Sequence, residues 1–189
     1  DNLSIHNTYP KIVGETGGKD FVVVHHSADA KAVSTALVRG AFEYQGQKCS
    51  AASRAYIPDN LWPEVKALMI HDLQTIKVGP VEDFTNFMGA VIDGASFDKL
   101  ASFIDAAKID PSVEVVFGGG YDKSEGFFIQ PTVLRADDPH YVTMCEELFG
   151  PVLTVYVYPA DQWTETLELV DKTSPYALTG AVFARDRFA

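Results

Sequence analysis

The thiol of Cys49 is the side chain best placed for covalent chemistry. It stands in Gly46-Gln47-Lys48-Cys49-Ser50, where a glycine and polar residues separate a helix-like run, Asp29 to Tyr44, from a strand-like one, Ser53 to Ile57. A cysteine at such a junction can face a cleft. Thiols attack as thiolates, and a free cysteine with a pKa of about 8.5 stays mostly protonated at neutral pH unless backbone amides or a cation lower that value. Lys48 adjoins it in the chain. Taken alone, a lone cysteine is more often a small buried apolar residue than a nucleophile. The second cysteine, Cys145, shares no Cys-x-x-Cys or Cys/His spacing with it, so neither a disulfide framework nor a zinc site is indicated, and a reducing compartment fits. His6, His25, His26, His71 and His140 are scattered without metal-ligand or triad spacing, and solvated or core roles suit all five.

Composition sets the frame for that thiol. With 189 residues, 47% hydrophobic and 22% charged, the chain has the apolar material for one globular domain with a core of its own. A net charge of −11 argues against a phosphate-binding surface, because nucleic-acid affinity rests on Lys and Arg neutralising phosphates. A small-molecule partner fits better. No apolar run approaches the ~18 residues of a membrane span, and the first residues lack the basic, apolar, small-residue order of a signal peptide; no membrane partner is expected. The beginning at Asp1-Asn2-Leu3 and the end at Arg185 to Ala189 read as a piece cut from a longer chain.

The elements that must position Cys49 alternate between strand and helix, the pattern of an α/β sheet with helices on its faces. Phe21-Val22-Val23-Val24 reads as a buried strand. Asp29 is a candidate N-cap, and Val33, Ala36, Leu37, Gly40 and Ala41 keep helical spacing up to the cysteine loop. Leu61, Val65, Leu68, Met69 and Leu73 mark the next helix, with Pro63 in its first turn. Phe87 to Ile92 reads as a short strand, and Phe97, Leu100, Ile104 and Ala107 as a helix capped near Asp93 or Ser96. Val113 to Phe117 is strand-like and runs into Gly118-Gly119-Gly120, a turn rather than a phosphate cradle, since no Gly-Lys-Ser/Thr helix follows and Asp122 and Glu125 would repel phosphate. The stretch around Pro131 reads as an edge strand or extended passage. Val152 to Tyr158 is the clearest strand; a helix from a cap at Asp161 through Trp163, Leu167 and Val170 and a last strand, Leu178 to Ala184, follow.

Two further motifs flank this frame, Glu15-Thr16-Gly17-Gly18-Lys19 and Glu146-Glu147-Leu148-Phe149-Gly150-Pro151. In this order with the cysteine loop, and with Glu15 and Cys49 standing 34 positions apart, they resemble the aldehyde dehydrogenase superfamily. Within it, Phe42 through Arg54 and Tyr176-Ala177-Leu178-Thr179-Gly180-Ala181 are most similar to the glutamate-semialdehyde (1-pyrroline-5-carboxylate) dehydrogenases of proline catabolism. The resemblance implies a catalytic domain built on a mostly parallel sheet flanked by helices, with Cys49 as nucleophile and Glu15 as general base. It also implies Glu147 on a ribose of the NAD cofactor and Phe149 near the nicotinamide. Ser50 becomes a candidate substrate contact, although a turn hydroxyl bonded to backbone explains it equally well. Cys145 remains a bystander. A homo-oligomer, in the mitochondrial matrix of eukaryotes or otherwise in the cytoplasm, is implied for the whole enzyme.

A cysteine and a glutamate suit aldehyde oxidation because the task has two halves. The thiolate adds to the carbonyl, giving a thiohemiacetal that expels hydride to a cofactor and leaves a thioester. A glutamate then takes a proton from the water that attacks the thioester. A cysteine acyltransferase or hydrolase would need a histidine base, and none adjoins the motif; a catalytically silent interaction module is the non-enzyme alternative. No strand–Gly-x-Gly-x-x-Gly–helix unit opens the chain, so the dinucleotide-binding domain that the family carries, and its C-terminal portion, are expected outside these residues.

Overall fold

The computed structural model describes residues 8, 9, 11, 13, 14, 17–176 and 178–189. Six strands form one sheet in the order β3-β6-β7-β2-β1-β8. These are β1 (Asp20–Val24), β2 (Ala52–Pro58), β3 (Val113–Phe117), β6 (Thr132–Ala136), β7 (Val152–Tyr158) and β8 (Gly180–Phe183); β4 (Tyr121–Asp122) and β5 (Phe128–Ile129) make a separate two-stranded ribbon. Every pairing within the large sheet is parallel except β3 against β6. The expected mostly parallel α/β sheet is therefore present.

Side-chain alternation along the strands builds the layers, because successive residues of a strand point to opposite faces. Val22 and Val24 of β1 and Ala55 and Ile57 of β2 join a core beneath α1 (Ala30–Phe42) and α2 (Trp62–Leu73). Val23 and Tyr56 point the other way, with Val170 of α5 (Trp163–Lys172) and Met144 of the single turn α4 (Val142–Cys145). On that same face, nearer β3, Leu134 and Val152 pack against Phe97, Leu100 and Ile104 of α3 (Gly94–Ile109). Parallel strands covered on both faces explain the continuous Val-rich run of β1.

Two of the expected caps are observed: Ala32 N donates to Asp29 Oδ1 at 2.9 Å and Ser96 N to Asp93 Oδ1 at 2.8 Å. The glycine run is a turn, with Gly118 at φ 75° and Gly119 at φ 82°. Four expectations are corrected. Phe87 to Ile92 is not a strand but makes one bridge, Met88 to Val78, because its backbone is shared out among separate partners: Lys77, Gly79, Phe127 and the side chain of Gln47. The passage after Pro131 is an interior strand, since the proline precedes the first paired residue and costs the ladder no donor. Helix α5 is capped at Gln162 rather than Asp161, without a side-chain bond. Helix α1 ends at Phe42, two residues short of Tyr44, because Tyr44 and Gln45 turn left-handed at φ 54° and 58°.

Candidate active site

Three sequence-distant segments meet beside the cysteine. Cys49 is half-buried in the turn that joins a short 3-10 segment, Glu43–Gly46, to β2. Two consecutive left-handed non-glycine residues are unfavourable and persist only where the surroundings hold them. Here the amides do so: Gln45 Nε2 donates to Ala90 O at 3.1 Å, and Gln47 Oε1 accepts from Ile92 N at 2.9 Å. Gly46, at φ 64°, completes the reversal, and a Cβ there would stand 2.4 Å from the carbonyl oxygen of Gly150. The cysteine loop is thus pressed against the Glu146-to-Pro151 motif.

The glycines ahead of β1 close the arrangement from a third side. A Cβ on Gly18 would lie 2.7 Å from the Cys49 carbonyl oxygen, and one on Gly17 would lie 3.4 Å from Glu147 Cγ and 4.0 Å from Phe149 Cδ2. Gly17 also has φ 110°, a conformation side chains rarely adopt. Glu15 lies outside the described residues. Lys48, adjacent to Cys49 in the chain, turns to the surface instead, where its Nζ is 3.3 Å from Glu43 Oε2. Arg39 pairs with the same carboxylate and, through that bond above all, holds Glu43 below the usual carboxylate range.

Glu147 is half-buried, with Oε1 accepting from Phe149 N at 2.9 Å and its carbonyl accepting from Lys99 Nζ at 2.7 Å. Its Oε2 is enclosed and has no hydrogen-bond partner among the described residues. Burial pushes this carboxyl up, against the opposing pull of Lys19. Phe149 is exposed and left-handed at φ 59°. Ser50 is exposed at the mouth of a separate pocket of about 210 Å³ beside Asp20, Gly40 and Thr179. The Cys145 sulfur is 3.4 Å from the His140 carbonyl, and burial raises its pKa.

Sequence reasoning assigned no role to the buried charges around this junction. Lys19 is 1% exposed, and its Nζ has no partner among the described residues; burial lowers its pKa to about 8, with Glu147 opposing the shift. Arg54, also buried, fastens the region: Nε donates to Lys19 O at 2.9 Å, and one terminal nitrogen donates to Tyr56 Oη and Val170 O. Asp20 Oδ1 accepts from Thr179 N at 2.8 Å. The signal for this cluster was Lys19-Asp20 standing directly before an apolar strand, where two charges have little access to solvent. No group of three or more potential metal-ligating side chains occurs among the described residues.

A cysteine-bearing turn packed against a carboxylate-bearing loop on a mostly parallel α/β sheet thus brings segments of the three sequence motifs together. Residues 3–189 match the aldehyde dehydrogenase family, and the chain belongs to that family. Among its relatives, the mitochondrial delta-1-pyrroline-5-carboxylate dehydrogenase of Dictyostelium discoideum is 51% identical over 191 residues, covering 100% of this chain and 34% of that protein. The Homo sapiens protein of the same name is 49% identical over 187 residues, covering 98% and 33%. Among solved structures, the delta-pyrroline-5-carboxylate dehydrogenase of Mycobacterium tuberculosis bound with NAD superposes with a TM-score of 0.89 at 47% identity, covering 99% of this chain and 34% of that one. The chain thus spans about a third of the length of these relatives.

Proposed function

We propose that this chain is the nucleophile domain of an NAD-dependent dehydrogenase that oxidises L-glutamate γ-semialdehyde to L-glutamate. The observation that carries the reading is the meeting of three motifs: Gly18 against the Cys49 carbonyl, Gly17 against Glu147 and Phe149, and Gly46 against Gly150. Residues 1–189 work in this reading with a dinucleotide-binding domain and a C-terminal portion of the longer relatives' kind, in a homo-oligomer. Its place would be the mitochondrial matrix in a eukaryote and the cytoplasm otherwise; the Dictyostelium discoideum and Homo sapiens relatives are named as mitochondrial.

The residues fit the cofactor. Glu147 is a half-buried carboxylate two residues before Phe149, and Gly17 leaves open the space a side chain would fill beside both. Glu147 would hold the ribose and Phe149 the nicotinamide end; bound NAD supplies the acceptor for hydride, which no side chain can replace. On the protein, the Cys49 thiolate adds to the aldehyde carbon, and once the hydride has gone the sulfur carries the acyl group as a thioester. Glu15 takes a proton from water as the water oxygen attacks that carbonyl, and the carbon–sulfur bond breaks to return the thiolate and release the acid. Ser50 is the proposed contact to the substrate.

The test is steady-state NADH formation from glutamate semialdehyde by the full-length enzyme and its Cys49→Ala variant, with dinucleotide binding measured alongside. Turnover should vanish while binding stays near wild type. Turnover near wild type would remove Cys49 from the mechanism.

A further inference from the structure

The segment just before α3 has no part in the proposed chemistry, yet two glutamines tie the cysteine turn to it by hydrogen bonds of opposite sense. Gln45 Nε2 donates to Ala90 O at 3.1 Å, and Gln47 Oε1 accepts from Ile92 N at 2.9 Å. The backbone groups settle both amide orientations, because a carbonyl only accepts and an N–H only donates. Between them Val91 N donates elsewhere, to Phe127 O at 2.9 Å. Successive residues of an extended strand hydrogen-bond to opposite edges, so the two glutamines take the place of a neighbouring strand along one edge of residues 90–92. That edge is a firm anchor. Val91 is buried with Phe97 and Leu100 of α3 and with Leu148 of the Glu146-to-Pro151 motif, and Asp93 caps α3. Gly89 leaves Gln45 its room, since a Cβ there would stand 3.3 Å from Nε2.

We infer that Gln47, together with Gln45, is a positioning residue for Cys49: the two amides set where the nucleophile's turn sits, one as an acceptor and the other as a donor. The inference rests on the proposed role of Cys49 and extends it to side chains that act only through the turn. The turn's own bonds, Gln47 N to Tyr44 O and Ala51 N to Lys48 O, are local and give it shape but not place. Packing of Gly46 on Gly150 fixes one point, and the amides fix a second. Without them Tyr44 and Gln45 would be free to leave the left-handed region, and Cys49, two residues beyond Gln47, would move with the chain.

The experiment is the first-turnover rate of NADH formation by the full-length enzyme at saturating glutamate semialdehyde and NAD, with NADH affinity measured alongside. The variants are Gln47→Met, Gln47→Glu, Gln45→Met, Gln45→Glu and Cys49→Ala. Methionine keeps the length of each side chain and removes its hydrogen bond, whereas glutamate restores an acceptor but no donor. Each methionine variant should slow the first turnover roughly tenfold while NADH affinity stays within about twofold of wild type, a loss of rate without a loss of binding. Glutamate should recover most of the rate at position 47, where Ile92 N needs an acceptor, and none at position 45, where a carboxylate meets the Ala90 carbonyl. Both glutamates add the same charge, so charge alone does not give opposite outcomes. Wild-type rates in the methionine variants, the same response to glutamate at both positions, or NADH affinity that falls in step with the rate overturns the inference and leaves the role of Cys49 intact. A wild-type rate in Cys49→Ala overturns that role first and the inference with it. Should a methionine variant fail to fold, the two glutamate variants decide, and Gln47→Glu no faster than Gln45→Glu refutes the inference.

Discussion

Gly18→Ala tests whether the glycine pair ahead of β1 sets the cysteine turn. The new methyl would begin 2.7 Å from the Cys49 carbonyl oxygen, 3.0 Å from Asp20 Oδ2 and 3.1 Å from Leu178 Cβ, whereas ordinary contact starts near 3.4 Å. The first of these neighbours is backbone and cannot rotate aside, so the turn itself must retreat. Overpacking of this kind costs about 1–3 kcal/mol, and at about 2–4 °C per kcal/mol for a chain of this size the melting temperature should fall by roughly 3–10 °C. A displacement of the nucleophile approaching ~1 Å costs on the order of 10² in rate, so turnover of the full-length enzyme should drop roughly ten- to a hundredfold. Gly40→Ala is the control: it lies inside α1, its nearest neighbour would be Ala52 Cβ at 3.4 Å, and replacing a helical glycine should stabilise by about 0.5–1 kcal/mol. The assays are thermal unfolding and the rate of Cys49 alkylation by iodoacetamide in a Cys145→Ser background. A Gly18→Ala protein with unchanged melting temperature and unchanged alkylation would refute the argument that Gly18 and the Cys49 turn are locked together.

Two further outcomes are expected. Lys19 holds fewer protons when folded than when unfolded between about pH 8 and its ordinary 10.5, so it adds a rise in stability with pH across that window; Lys19→Met should flatten the rise, which pH-resolved denaturant titration of both proteins would show. The 189-residue chain by itself should fold yet form no NADH from glutamate semialdehyde and NAD, because positioning worth ~7–11 kcal/mol of the barrier depends on a dinucleotide-binding domain; turnover that disappears in its Cys49→Ala form would contradict this.

The parts of the fold legible in the sequence were those governed by local physics. The Val-rich β1 and the caps Asp29 and Asp93 depend on short-range patterning, and each stands where that patterning places it. Pro131 misled because a proline within a strand pattern reads as an edge, and only the pairing of Thr132 with Val152 shows the proline just outside the ladder. Phe87 to Ile92 misled because its apolar residues serve a loop that clamps Gln45 and Gln47, a contact across 45 residues that no local period encodes. Lys48 beside Cys49 suggested a cation for the thiol, but the turn points its ammonium to Glu43. Burial of Lys19 was only partly legible: its place directly before an apolar strand was a signal, but lysine is the residue type sequence reading assigns to the surface. The motif order was legible, whereas the packing of Gly17 on Glu147 and of Gly46 on Gly150 required the sheet to be assembled.

The central claim is that Cys49 carries the acyl group and Glu15 activates the water that releases it. The direct measurement is acid-quenched peptide mass spectrometry of the full-length Glu15→Gln enzyme after mixing with glutamate semialdehyde and NAD, with absorbance at the NADH band followed in parallel. Slowed hydrolysis should give a burst of about one NADH per site and a glutamyl thioester on the peptide containing Cys49. A burst lost in proportion to turnover with no adduct, or an adduct on Cys145 instead, would contradict the account.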